Sequence, residues 1–334
     1  MDARIARLKV VSCFLVILLH VSASQIVRIG DGWWAANIFD SLARVCVPAF
    51  LMISGALLLK KSEPLGEFLG KRFLRVFPPL LFWSLFYIAW IRYNGGDISN
   101  WFFDILRGPV MYHLWYLYAI IGLYALVPLL RRFYQGASFA EKMWVLALWF
   151  IVGSLWPASA AIMTPQACGN IGPTNSSLVY HLSSFGGYFG FFLLGAVLSD
   201  LRLSARLGAS LFAGGALITM FMMYWHSSRV GSPCETFYGY QSPFVVIAAA
   251  GFFSFFLSFQ RSAPSRMIAL LADSTLGIYC LHILLIGGIF PMYGLVASGS
   301  NFWFMAPVIS VAAFLLSWAG VFLMRLTVPG RWVT

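Results

Sequence analysis

Residues 4–20 read RIARLKVVSCFLVILLH: three basic side chains (Arg4, Arg7 and Lys9), then an apolar run that ends in a histidine. This stretch decides the fold class. A chain entering hydrocarbon must satisfy its backbone internally, so the segment is a membrane-crossing α-helix with its basic end at the cytoplasmic face. A titratable side chain inside such a helix is costly, which makes His20 a functional residue by default. Lys9 stands eleven positions earlier. At 1.5 Å and about 100° per residue, Lys9 falls within about 20° of the His20 face and about 16 Å away along the axis. A neutral imidazole so placed can take a proton from an attacking hydroxyl. Lys9 serves either that chemistry or simple anchoring. A secretory signal has the same outline, with Val21-Ser22-Ala23 as its cleavage site; cleavage would leave one span fewer and an outer amino terminus.

The rest of the chain continues the pattern. Of 334 residues, 60% are hydrophobic and 10% charged, with a mean hydropathy of +0.83. No soluble domain of this size needs so much apolar surface. Spans are expected at approximately 8–25, 42–59, 74–93, 113–130, 142–160, 181–199, 207–226, 243–259, 268–290 and 303–324. The fold class is therefore all-α: a polytopic integral membrane helical bundle of about ten transmembrane helices, both termini cytoplasmic, one domain over 1–334. The spans nearly fill the chain, so any chemistry belongs to the bundle itself.

The formal charge of +11 could suggest nucleic acid. Its distribution says otherwise. Seventeen of the 22 Lys and Arg residues fall on the cytoplasmic side of these spans and five (Arg28, Arg44, Arg92, Arg107 and Arg229) on the outer side. That is the positive-inside bias of a membrane protein, and it sets the orientation.

Five cysteines show no metal-ligand spacing, and no metal is expected. Cys13, Cys46 and Cys280 fall within spans. Cys168 and Cys234 fall in outer loops, where an oxidising compartment would permit a bridge, and the spacing leaves that open. The Phe185–Gly190 run FGGYFG reads as a close-packing face or as a ligand path, with packing the safer reading.

Arg72 and Arg75, at i and i+3 before the third span, leave one side of a helix. Two guanidinium forks at a cytoplasmic surface suit a phosphate-bearing ligand, because each binds oxygens bidentately; lipid headgroup contact and anchoring are the alternatives. Three further clusters recur: Arg44 through Gly55 (RVCVPAFLMISG), Tyr112 through Tyr116 (YHLWY), and Ser274 through His282 (STLGIYCLH). Each could be an interface anchor or a helix–helix hydrogen bond. Three in one bundle exceed what anchoring needs, and a polar interior site accounts for them better. His181 and His226 lie at expected outer ends within reach of solvent and receive no role.

Taken together and in this order, the motifs resemble the acyltransferase-3 membrane proteins: Lys9-x₁₀-His20, the Arg72-x-x-Arg75 pair, Ser54-Gly55, His113-Leu114-Trp115 and the run ending at His282. RVCVPAFLMISG and the residues 109–120 run PVMYHLWYLYAI look most like the enterobacterial common antigen O-acetyltransferase branch. The resemblance implies a multi-pass enzyme of the bacterial cytoplasmic (inner) membrane. It implies transfer of an acyl group, commonly acetyl, from cytosolic acyl-CoA to a hydroxyl of a periplasm-facing envelope glycan or lipid-linked sugar. It implies catalysis by His20 with Lys9, acetyl-CoA held by Arg72 and Arg75, and a second tier of Arg44, His113, Trp115, Tyr279 and His282 for the acceptor. Expected partners are the acyl-CoA, the glycan acceptor and membrane lipids, with no nucleic acid. One departure stands out: the family usually has arginine where Lys9 stands and an acid where Ala6 stands. Lysine keeps the charge and loses the planar fork. The competing class is a multi-pass transporter of a small polar or glycan-related substrate, although no inverted pair of broken helices supports it.

Overall fold

The computed structural model describes residues 2–27, 29–163, 168, 187–292, 294–296 and 298–334. In chain order the helices are α1 (Ala3–Ile26), α2 (Trp33–Ala43), α3 (Cys46–Leu58), α4 (Leu65–Tyr93), α5 (Trp101–Arg107), α6 (Trp115–Gly136), α7 (Phe139–Phe150), α8 (Trp156–Met163), α9 (Phe189–Leu201), α10 (Ala205–Val230), α11 (Pro243–Ser258), α12 (Arg266–Asp273), α13 (Thr275–Leu284), α14 (Phe290–Met292), α15 (Phe302–Met324) and α16 (Val328–Val333). Among the described residues nine helical segments are long and apolar enough to cross a membrane, and α9 is a shorter apolar helix. The all-helical membrane bundle read from the sequence is what the chain forms. The expected sixth span, 181–199, begins outside the described residues, as do His181 and part of the FGGYFG run.

Helix starts follow local chemistry. The Asp2 carboxylate accepts from the Arg4 N–H at 2.9 Å and caps α1. Ser138 and Glu141 form a reciprocal capping box on α7. Gly231, at a φ of 78°, closes α10 in the left-handed conformation that an L side chain resists.

Three spans differ from expectation. The third span begins at Leu65 rather than near 74. The second begins at Trp33 rather than near 42, because Asn37 and Asp40 depress the local hydropathy yet are satisfied inside the protein. The ninth begins at Thr275; residues 266–273 form a separate amphipathic helix capped by Ser265 and interrupted at Ser274.

α1 is central, packing against α2, α3, α11, α12, α13 and α15. Its neighbours close up through small residues. A Cβ on Gly55 would strike the Phe192 backbone, and one on Gly195 would strike the Met52 backbone, so α3 and α9 touch main chain to main chain. Gly187 also serves packing: its carbonyl accepts from Trp149 Nε1 and Gln241 Nε2, both at 2.8 Å. Large apolar side chains such as Phe73, Phe77, Leu315 and Phe322 point outward, as a lipid-facing surface requires.

Both chain ends lie at the same end of the bundle. Ala3 N–H donates to the Ser262 carbonyl at 2.9 Å and Arg4 to the Leu257 carbonyl at 2.9 Å. At the other terminus, Trp83 Nε1 donates to the Val333 carbonyl at 2.9 Å, and Arg325 joins Thr334 to the Asp273 carbonyl. His226, expected at a solvent-reached helix end, is instead fully buried beside Phe237, because the turn Glu235–Tyr238 folds over it.

Cys168 and Cys234 are joined as a disulfide, and Cys13, Cys46 and Cys280 are free and buried. Denatured but unreduced protein should therefore take up maleimide at three of its five cysteines, and at all five after reduction. Intact-mass spectrometry reads the count; five additions without reductant would contradict the bridge.

Candidate active site

A cavity of about 200 Å³ opens between α1, α3, α4, α6 and α13. Its basic end is lined by Lys9, Arg72 and Arg75, its middle by apolar residues including Ile53 and Ile120, and its inner end by Val47, Phe50, Tyr116 and Tyr279. The fold brings Lys9 of α1 and the two arginines of α4 to one space, whereas His20, expected on the Lys9 face, does not line it. Arg72 is held in place: its guanidinium lies 5.4 Å from the Phe68 ring and 5.9 Å from the Tyr124 ring, and 4.0 Å from Glu63. Glu63 is itself engaged by Lys71 at 2.8 Å, and that hydrogen bond holds its carboxyl below the usual carboxylate range. Among the described residues no carboxylate stands within ion-pair distance of Lys9 or Arg75. Among those residues two of the three cations thus lack an acid partner, and such a group is stabilised by an arriving anion.

Beyond the Tyr116–Tyr279 pair (ring centroids 5.9 Å apart) lies a cluster of imidazoles from three separate elements. His20 comes from α1, His282 from α13, and His113 from a 3₁₀ turn, Tyr112–Leu114, that leads into α6. His20 and His282 are 5.3 Å apart by ring centroid, His113 and His282 5.5 Å, and His113 and Tyr279 5.6 Å. His113 Nε2 donates to the Cys280 carbonyl at 3.2 Å, and His282 Nδ1 to the Tyr279 carbonyl at 2.6 Å. Three buried polar atoms in the cluster have no partner: His113 Nδ1, His282 Nε2 and Tyr279 Oη. On its other side His20 meets Tyr112 at 5.3 Å, and Tyr112 is 57% exposed. His20 is half-buried, whereas His113 and His282 are fully buried. One imidazole is thus reachable, with two sealed behind it. Among the described residues no three His, Cys, Asp or Glu side chains are arranged to hold a metal ion.

Residues 2–322 match the family described as an acyltransferase domain, nearly the whole chain. The chain belongs to the acyltransferase-3 family. It is also similar to an amino-acid racemase of Enterococcus faecalis, 29% identical over 174 residues, which are 48% of this chain and 23% of that protein. The chain thus spans less than a quarter of that relative's length. No solved structure matches.

Two residues that the sequence grouped with the acceptor have their contacts elsewhere, although the Arg44 charge still reaches His20. Arg44 is paired within its own segment to Asp40, at 2.6 and 2.8 Å, and its guanidinium sits 4.4 Å over the Tyr238 ring. Trp115 stacks on Tyr240 at 5.8 Å and meets Tyr188 at 5.7 Å. Sequence reasoning missed Asp40, although its i,i+4 spacing to Arg44 was a readable signal. It also missed Tyr124, which resembles an interfacial aromatic until the cavity places it, and Glu63, which no pattern singles out; Tyr116 stands in the YHLWY cluster without a role of its own.

The Asp40–Arg44 pair carries a stability prediction. Asp40→Ala leaves a buried guanidinium uncompensated and should cost about 3–5 kcal/mol. Asp40→Leu with Arg44→Met should recover most of it. Thermal unfolding of detergent-solubilised protein measures both, and an unchanged midpoint for Asp40→Ala would show the pair to be energetically idle.

Proposed function

We propose that the protein is an O-acyltransferase of a bacterial inner membrane, moving an acetyl group from cytosolic acetyl-CoA to a hydroxyl of a periplasm-facing envelope carbohydrate or lipid-linked glycan. Family membership supplies acyl transfer. The observation that carries the finer reading is the cavity: three cations at its basic end, an apolar middle, and an aromatic inner wall that touches the imidazole cluster. A nucleotide-tailed thioester has the matching order of parts, with anionic phosphates, a flexible arm of low charge, and a reactive carbonyl. The stretches RVCVPAFLMISG and PVMYHLWYLYAI, with their likeness to the common antigen O-acetyltransferases, are the ground for choosing acetyl and a sugar hydroxyl.

In this reading Arg72 and Arg75 grip phosphate oxygens and Lys9 adds a third charge. The thioester carbonyl comes to rest against Tyr279, whose unpartnered hydroxyl can donate to the oxygen as negative charge develops there. The acceptor enters past exposed Tyr112 to His20. As the acceptor oxygen attacks the carbonyl carbon, His20 takes the hydroxyl proton; the C–S bond then breaks and the thiolate recovers that proton from the imidazolium, leaving ester and free CoA. A single histidine thus serves as base and then acid.

His20→Ala, folded and inserted, should lower acetyl transfer by about 10²- to 10⁴-fold. Arg72→Ala and Arg75→Ala should each raise the KM for acetyl-CoA by about tenfold or more while preserving most of kcat. Labelled acetyl-CoA with purified protein and envelope glycan reads both. Wild-type transfer by His20→Ala would remove the base, and an unchanged KM in both arginine variants would remove the phosphate site.

A further inference from the structure

His282 stands one layer behind His20, and its surroundings settle which of its nitrogens is free to act. Nδ1 lies 2.6 Å from the Tyr279 carbonyl oxygen. A carbonyl only accepts, so in the neutral ring Nδ1 carries the proton and Nε2 presents a lone pair. That Nε2 is buried and unpartnered on a fully buried residue. A lone pair sealed in an apolar bundle with nothing to accept is costly. Three rings meet His282: His20 at 5.3 Å with the planes tilted by 32°, His113 at 5.5 Å and Tyr279 at 6.0 Å. His113 donates through Nε2 and so presents a lone pair of its own at Nδ1, which leaves His20 as the imidazole able to donate. His113 has no such contact with His20; it touches His282 and Tyr279 instead.

We propose that His282 is a positioning residue for His20. Its Nε2 accepts the N–H of His20, which leaves the other His20 nitrogen as the lone pair facing the acceptor hydroxyl. At this centroid separation two facing ring edges lie about 3 Å apart, within hydrogen-bond reach once the His20 ring turns. The resulting chain runs from acceptor hydroxyl to His20, to His282, to the Tyr279 carbonyl. It does for His20 what a carboxylate does for the histidine of a hydrolytic triad, fixing tautomer and orientation. It does so without a permanent charge, which an apolar span disfavours. The inference rests on His20 being the base proposed above and adds a residue whose role is orientation.

Two substitutions separate this role from a structural one. His282→Gln puts an amide oxygen near the Nε2 position and keeps an acceptor for His20; His282→Asn puts an amide nitrogen near Nδ1 and keeps only the bond to Tyr279. Positioning predicts that His282→Asn loses at least about tenfold in kcat with the KM for acetyl-CoA unchanged, and that His282→Gln recovers a large part. The reverse ranking, or full activity in His282→Asn, overturns the proposal. Nitrogen-15 spectra of histidine-labelled wild-type protein test it without any variant: at least one of the five histidines must be the neutral Nδ1-protonated form, and its absence also overturns the proposal. His20→Ala distinguishes the two levels. If His20→Ala transfers normally, both readings fail; if it is inactive while His282→Asn is fully active, only the positioning role fails.

Discussion

Polar rings sealed in an apolar bundle must find their hydrogen bonds in the backbone, and the rest of this site depends on two carbonyls of α13 that provide them. The Tyr279 carbonyl holds His282, and the Cys280 carbonyl receives both His113 and the Tyr87 hydroxyl, the latter at 2.7 Å. These bonds tie α4, α13 and the 3₁₀ turn before α6 together at one level of the bundle. They also set two imidazole tautomers without any charged partner. A π-helical turn, Leu285–Ile289, follows α13 at once, a local irregularity often found where a helix serves a site.

The second constraint is charge. A membrane protein can gather cations at its cytoplasmic rim for anchoring alone, but anchoring cations face headgroups and water. Arg72 is instead pinned against Phe68 and Tyr124, and together with Lys9 and Arg75 it lines the mouth of a cavity that runs inward. The acid paired with Arg72, Glu63, is shared with Lys71. The cavity passes from a cationic mouth through an apolar middle to an aromatic end, and the imidazoles lie behind that end, His113 against Tyr279 at 5.6 Å. In the proposed reaction the apolar middle would also keep water away from the thioester, which would favour transfer over hydrolysis.

Much of this was legible in the sequence, and the reasons are geometric. Lys9 with His20, and Arg72 with Arg75, are local relations on single helices, and helical periodicity predicts their shared faces. The nine long apolar segments among the described residues follow from hydropathy in the same way, and the expected sixth span appears there as the short helix α9. What periodicity cannot express is which helix faces which. His20, His113 and His282 come from distant parts of the chain, and nothing in their spacing announces that their rings meet. Tyr124 looks like any interfacial aromatic until it is found lining the cavity. The late start expected for the second span has a different cause. Asn37 and Asp40 lower its hydropathy, yet Tyr238 and Arg44 satisfy them in the interior. Arg44 itself reads as a free outer cation only when its partner one turn earlier is overlooked.

The most direct measurement is an electron cryomicroscopy structure of the protein with a non-hydrolysable acetyl-CoA analogue. The account predicts phosphate density against Arg72, Arg75 and Lys9, the arm within the cavity, and the acyl carbonyl beside Tyr279 facing His20. An analogue bound elsewhere, or one whose acyl group ends away from the imidazole cluster, would contradict it.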